Sequence, residues 1–190
     1  MSQGEGIYRP SPGRGSLLQG EILSDLPQVI LTIPEDPSIA EREFDIKEHP
    51  WVIVMSQDCD LDQDFNKGAG SSLPNILFCE VSTAAKALEL IKAAGGPASQ
   101  ISGRIKINNE PRYHFLQKPS VEHDACNEGL EEFVIDFKRY FTLPTQEVYF
   151  QLTQRTRRRC ILNSPYLEHL AQRFHSYLSR IALDSDHVSE

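Results

Sequence analysis

Two short runs of this chain are largely apolar, and they limit the folds that the chain can form. Residues 51–56 read WVIVMS and residues 75–81 read NILFCEV. A strand that buries one face alternates apolar and polar residues, whereas a strand buried on both faces does not. Runs of this length between polar stretches favour strands over helices. We therefore expect two adjoining central strands of one sheet, separated by a polar loop over 57–74.

Other segments show weaker strand patterns and two helical ones. Residues 82–96 carry apolar side chains at helical spacing, and Gly95 is expected to end the helix that this spacing predicts. A second short helix is expected between this helix and residue 110. Pro165 and the apolar stripe after it predict a C-terminal amphipathic helix over about 165–182. Further strands are expected at 28–33, 43–49, 112–117, 132–137 and 147–152.

Length and composition indicate one α+β domain. The chain has 190 residues and contains no apolar run near the roughly 20 residues that cross a bilayer. We expect a Gly/Pro/Ser-rich arm over 1–16, a domain over 17–183 with a helical insert at about 82–110, and a tail over 184–190. The four cysteines form no CxxC pair, and the N-terminus has no apolar core typical of a signal peptide. These features predict reduced thiols, a cytoplasmic location, no cofactor and no membrane partner.

The charges are distributed unevenly. The net charge is −8, yet the part from Lys138 to Arg180 is basic. Its sharpest feature is a run of four arginines, which could hold a nucleic-acid backbone or form ion pairs with the acidic part of the chain. The run consists of Arg155, Arg157, Arg158 and Arg159.

The stretch SQDCD places Cys59 between Asp58 and Asp60. A nucleophilic thiolate needs a nearby base, and adjacent carboxylates disfavour the thiolate. The same carboxylates could instead hold a divalent ion together with Glu80, or Asp58 could accept backbone N–H bonds while Cys59 fills a small buried space. All three interpretations stay open. The candidate bases for the first are His49, His114 and His123, with Asp136 as a candidate orienting group.

Three stretches together resemble the PemK/MazF/Kid family of toxins. They are QGEI (19–22), HPWVIVMS (49–56) and NILFCEVST (75–83), which are similar to the opening, second and third strands of that family. The resemblance covers about residues 18–83. It implies a small SH3-like β-barrel that dimerises, binds an antitoxin and cleaves single-stranded RNA without a metal.

The resemblance also suggests site residues. Ser82 falls near the catalytic Thr or Ser of the family, and His49 stands where many members have a catalytic arginine. A histidine can act as a base or a cation but cannot supply the bidentate guanidinium fork. The leading hypothesis is therefore a toxin-like, metal-independent endoribonuclease that uses His49 and Ser82. The alternatives are a non-catalytic protein-interaction module and a cysteine hydrolase centred on Cys59.

Overall fold

The two apolar runs lie next to each other in one antiparallel sheet, as expected. This computed structural model describes residues 6–32 and 43–180. The first run ends strand β3 (Glu43–Val54), and the second forms most of strand β4 (Asn75–Thr83). The two strands pair with Ile53 opposite Cys79. The central part of the predicted sheet is therefore confirmed.

Five more strands complete a sheet that remains open. They are β1 (Tyr8–Pro10), β2 (Glu21–Thr32), β5 (Tyr113–Leu116), β6 (Phe133–Pro144) and β7 (Arg157–Leu162). The order is β1-β7-β2-β3-β4-β6-β5, with every neighbouring pair antiparallel. Among the described residues β1 and β5 are the two edges and do not pair with each other. The α+β class is confirmed, and the closed SH3-like barrel is not.

Five α-helices within the described residues cover the sheet. They are α1 (Asp58–Lys67), α2 (Ala84–Ala93), α3 (Ala98–Lys106), α4 (Thr145–Gln154) and α5 (Tyr166–Leu178). The predicted helical insert corresponds to α2 and α3, and the predicted C-terminal helix corresponds to α5. Residues 181–190, which include the end predicted for that helix and the predicted tail, lie outside the described residues. No helix in the described part of the chain is long and apolar enough to cross a membrane.

Each face of the sheet has its own core. On one face, Phe137 and Ile53 pack with Leu170 and Phe174 of α5. On the other face, one cluster joins β2, β3 and β4 to α1 and α4, and a separate cluster joins α2 and α3 to β5 and β6. The strands in the middle are therefore buried on both sides, which explains why their sequences do not alternate.

Two predictions of local structure were wrong for tertiary reasons. The polar segment 57–74, predicted to be a loop, contains α1. Its polarity has a structural role, because the buried carboxylate of Asp64 accepts N–H bonds from Gly70, Ser72 and Leu73 and so fixes the chain after the helix. The predicted strand 147–152 lies within α4, which buries Val148 against the sheet.

The predicted flexible arm over 1–16 also contains ordered structure. Tyr8 of β1 is buried, and its hydroxyl donates a hydrogen bond of 2.7 Å to the carbonyl oxygen of Gln117. Strand β1 pairs with β7 and forms one edge of the sheet. Residues 1–5 lie outside the described residues.

Candidate functional site

Two of the three predicted catalytic residues line the same groove. His49 of β3 and Ser82 of β4 border a cavity of about 380 Å³. A smaller cavity of about 80 Å³ adjoins it and shares Glu80, Ser82 and Arg139. Helix α2 forms the opposite wall through Lys86 and Leu90. The third predicted residue, Cys59, does not line this groove.

Glu80 is at the centre of the groove. It lies on β4 opposite Val52 of β3. The ammonium group of Lys47 donates to one carboxylate oxygen of Glu80, and Arg139 Nη1 donates to the other at 3.0 Å. Burial alone would raise the pKa of Glu80, but hydrogen bonds from His49, Lys47 and Arg139 lower that pKa to about 2. The carboxylate is therefore ionised at neutral pH and held between two cations.

His49 supports this carboxylate from inside the protein. Its side chain is 2% exposed, and its Nδ1 lies 3.4 Å from Glu80 Oε1. Its Nε2 lies 2.9 Å from Gln28 Oε1, and its ring stacks on Phe141 with centroids 4.2 Å apart. A ring enclosed in this way cannot reach a substrate directly. The geometry makes His49 a residue that positions Glu80.

A second carboxylate extends the network along the groove. Asp136 of β6 accepts two hydrogen bonds from Arg112, Nε–Oδ1 at 2.8 Å and Nη2–Oδ2 at 2.6 Å. Arg139 Nε lies 3.7 Å from Asp136 Oδ2, so Arg139 connects the two carboxylates. Asp136 therefore pairs with arginines of the groove and not with Cys59 or the run at 155–159.

The groove carries more positive than negative side chains. Four cationic side chains border the two cavities, whereas Glu80 and Asp136 are the carboxylates between them. Glu48 also borders the larger cavity, and it pairs with Arg155 outside the groove. Lys86 likewise pairs with Glu89 outside the groove, at 3.2 Å. One positive charge therefore remains in excess, which favours an anionic ligand. The cationic residues are Lys47, Lys86, Arg112 and Arg139.

Half of the predicted nucleic-acid-binding arginines are buried in ion pairs. Arg158 donates to Glu21 with Nε–Oε1 at 2.5 Å, and its side chain is 7% exposed. Arg159 donates to Asp124 with Nη2–Oδ2 at 2.7 Å, and its side chain is 2% exposed. These two guanidinium groups cannot contact a phosphate backbone at the surface. This part of the prediction was wrong, because β7 directs both side chains inward, where each has a carboxylate partner.

The other two arginines of the run are half exposed. Arg155 pairs with Glu48, and Arg157 pairs with Glu128 at 2.6 Å and with Asp25 at 3.4 Å. Both guanidinium groups are thus already neutralised by carboxylates at the surface. The run as a whole belongs to the structural ion pairs of the domain.

Cys59 is exposed in the first turn of α1 and has none of the partners that a nucleophile needs. Its Sγ lies 3.7 Å from Gln57 Oε1 and 3.9 Å from Asp60 Oδ1. Neither atom belongs to a histidine that could act as the base for the thiol. The expectation that Cys59 fills a buried space was wrong. Asp58 was expected to cap its own loop, but its Oδ1 accepts instead from the distant backbone amide of Gln19, at 2.5 Å.

The other candidates do not meet at Cys59 either. His114 is buried on β5 and contacts Phe137 and His169, whereas His123 pairs with Ser120 at 2.8 Å. Within residues 6–32 and 43–180, no three His, Cys, Asp or Glu side chains are grouped in a way that could hold a metal ion. Asp58 and Glu80 belong to separate hydrogen-bond networks.

The sequence contains a signal for Glu80 that is independent of the metal-ligand role considered for it. Glu80 is the single charged residue in the stretch NILFCEVST (75–83). A carboxylate in a strand that is otherwise apolar requires charged partners nearby. Those partners, Lys47 and Arg139, come from β3 and β6 and could not be identified before the strand order was known.

A scan against protein-family models, a search of curated proteins and a search of solved structures each found no match to this chain.

Proposed function

We propose that the groove is the active site of a toxin-like endoribonuclease that cleaves single-stranded RNA without a metal. One observation carries the proposal: an ionised carboxylate, Glu80, lies between two half-exposed cations in a groove with an excess of positive charge. Transfer of the phosphoryl group to the 2′-hydroxyl needs a base for that hydroxyl and cations for the charged transition state. The groove contains both kinds of group.

The phosphate of the substrate would change the state of Glu80. Lys47 and Arg139 hold the carboxylate in the free protein, and the phosphate competes for both. Once these cations contact the phosphate, the hydrogen bonds that lower the pKa of Glu80 weaken and its pKa rises. Glu80 can then accept a proton, and His49 keeps it oriented from behind.

The proposed reaction is a transphosphorylation. Glu80 takes the proton of the 2′-hydroxyl, the 2′-oxygen attacks phosphorus, and the bond from phosphorus to the 5′-oxygen breaks. The 5′-oxygen takes a proton from water in the open groove, and a 2′,3′-cyclic phosphate remains. Lys47, Arg139 and the hydroxyl of Ser82 contact the phosphate.

The resemblance to the PemK/MazF/Kid family supports this proposal over residues 18–83. Under this resemblance, β2, β3 and β4 would correspond to the first strands of the family's barrel. The family's arginine is replaced here by His49, and the cationic role passes to Lys47 and Arg139. An antitoxin and a second copy of the chain are partners that the resemblance alone suggests.

One observation favours a second candidate function. A carboxylate with a pKa of about 2 is a weak base in the free protein. If bound phosphate does not displace its cations, the groove is a binding surface of a non-catalytic module. That alternative binds RNA and leaves it intact.

Cleavage of labelled single-stranded RNA in the presence and absence of EDTA tests the proposal. We expect cleavage in both conditions, with a cyclic phosphate at the new 3′ end. Glu80→Gln should lower the rate by about 10²–10⁴-fold, the usual contribution of a general base, while binding is retained. The control is Glu131→Gln, because Glu131 is exposed and only loosely paired with Lys118 at 3.8 Å. Binding without cleavage in the wild type would support the non-catalytic module and refute the nuclease.

A further inference from the structure

Two buried polar atoms without partners occur in one region of the molecule. Within the described residues, the side-chain atoms that are buried and make no hydrogen bond are His114 Nδ1 and Arg173 Nε. His114 on β5 is 3% exposed. Nearly all buried polar atoms in proteins have a partner, so each exception needs an explanation. Two exceptions on neighbouring side chains point to one common partner.

Arg173 carries a positive charge that no described carboxylate neutralises. The guanidinium group of Arg173 donates to the carbonyl oxygens of Asn108, Glu110 and Tyr113, the last two at 2.9 Å. Among the described residues no carboxylate oxygen lies within 4.0 Å of the Arg173 guanidinium group. The carboxylate of nearby Glu110 pairs instead with Arg104 at 3.3 Å. A half-buried cation surrounded by neutral carbonyl groups favours an anion on its remaining side.

A cavity of about 310 Å³ is lined by Arg173 and by His169, whose ring contacts His114. Arg173, His169, Gln172 and Ser176 of α5 form one wall of this cavity, and Asn109 lies on the other. Each of these side chains can donate a hydrogen bond. No acidic side chain lines the cavity. The donors and the cation suit an anionic group with several acceptor oxygens.

His169 lines the cavity and contacts the ring of His114. The two rings meet edge to face with centroids 5.7 Å apart. His169 is exposed and lines the cavity, whereas His114 lies behind it. Burial lowers the pKa of His114 to about 3, assisted by Arg173 and His169. His114 is therefore neutral at physiological pH and can donate through Nδ1–H without taking up a proton.

We propose that this cavity binds the phosphate group of a small organic molecule. Rotation of the exposed His169 ring opens the floor of the cavity to Arg173 Nε and His114 Nδ1, which then both donate to the phosphate oxygens. Gln172 and Ser176 complete the set of donors. This site lies on the face of the sheet covered by α5, is separate from the groove around Glu80, and does not depend on the nuclease proposal.

Titration of the full chain with sodium phosphate at constant ionic strength tests this site. Long-range ¹H–¹⁵N spectra report the ring nitrogens of His114 and His169 individually. We expect both sets of signals to shift along one saturable curve with phosphate, and not with sodium chloride. Ribose 5-phosphate should bind more tightly than inorganic phosphate, because the cavity is larger than the phosphate group. Sodium acetate distinguishes a phosphate site from a general carboxylate site.

Substitutions assign the effect to the cavity. Arg173→Met should weaken phosphate binding by at least tenfold, and Arg9→Met is the matched control because Arg9 is exposed on β1. If Arg173→Met fails to fold, His169→Leu on the exposed surface of α5 serves instead. Equal shifts with phosphate and chloride, equal affinity for acetate and phosphate, or unchanged affinity in these variants would overturn the proposal. Retained RNA cleavage in Arg173→Met would show that the two sites are independent.

Discussion

The ion pair between Arg159 and Asp124 offers a direct test of the structural role of the arginine run. Both side chains are buried, and the guanidinium group makes two hydrogen bonds to the carboxylate, at 2.8 Å and 2.7 Å. Asp124 also accepts backbone N–H bonds from Cys126, Glu128 and Gly129. Asp124→Asn would remove the buried anionic partner of the Arg159 guanidinium group, which keeps one contact, to half-exposed Glu128 at 3.2 Å. We expect a loss of about 3–5 kcal/mol in the free energy of unfolding at pH 7.

The pH dependence of stability provides an independent measure of the same interaction. Burial alone would raise the pKa of Asp124, but hydrogen bonds from Arg159 and from backbone amides lower it from 3.8 to about 2. A carboxyl group with a lower pKa in the folded state stabilises the fold above the unfolded pKa. This contribution is lost as the pH falls from about 4 to about 2, and it amounts to about 2 kcal/mol.

Urea unfolding at pH 7 and at a series of values down to pH 2 measures both effects. Asp124→Asn should remove about 2 kcal/mol from the pH dependence of the wild type between pH 4 and pH 2. Glu122→Gln is the control, because Glu122 is an exposed neighbour of the same loop. If Asp124→Asn unfolds at the urea concentration of the wild type, the buried pair does not stabilise the fold and our interpretation of the arginine run is wrong.

Two further outcomes separate structural from functional side chains. Arg155→Ala should change the free energy of unfolding by less than about 1 kcal/mol in the same urea assay, because its pair with Glu48 is half exposed; a loss above 3 kcal/mol would contradict this. In the native protein iodoacetamide should label Cys59 before Cys79 and Cys160, which are buried, as peptide mass spectrometry would report. Cys59→Ser should leave RNA cleavage unchanged, and a loss of cleavage would revive the cysteine hydrolase.

Sequence patterns located the central sheet and the closing helix because those elements depend on local periodicity. The runs at 51–56 and 75–81 are apolar at positions that face both sides of a strand, and the structure buries both sides. The stripe in α5 repeats every three to four residues, and Leu170 and Phe174 of that stripe are buried. Such patterns are properties of neighbouring residues and can be recognised without knowing the fold.

Other elements were misassigned because distant residues determine them. The segment 147–152 has strand-like residues, yet it lies in α4, where Val148 packs into the cluster that joins β2, β3 and β4. The segment 57–74 is polar because most of α1 is exposed, and its one buried carboxylate, Asp64, accepts hydrogen bonds from backbone amides up to nine residues away. The arginine run suggested a basic surface, yet its last two members, Arg158 and Arg159, are buried opposite Glu21 and Asp124.

The sequence by itself determined that the chain forms an α+β domain around two apolar strand segments that are buried on both sides, and it supplied His49 and Ser82 as residues of the groove. The tertiary structure decided that the sheet stays open and that Glu80 meets Lys47 and Arg139. It also decided which arginines are structural. The physical reason is that burial and charge pairing are set by side chains far apart along the chain, and the packing of the strands alone brings these side chains together.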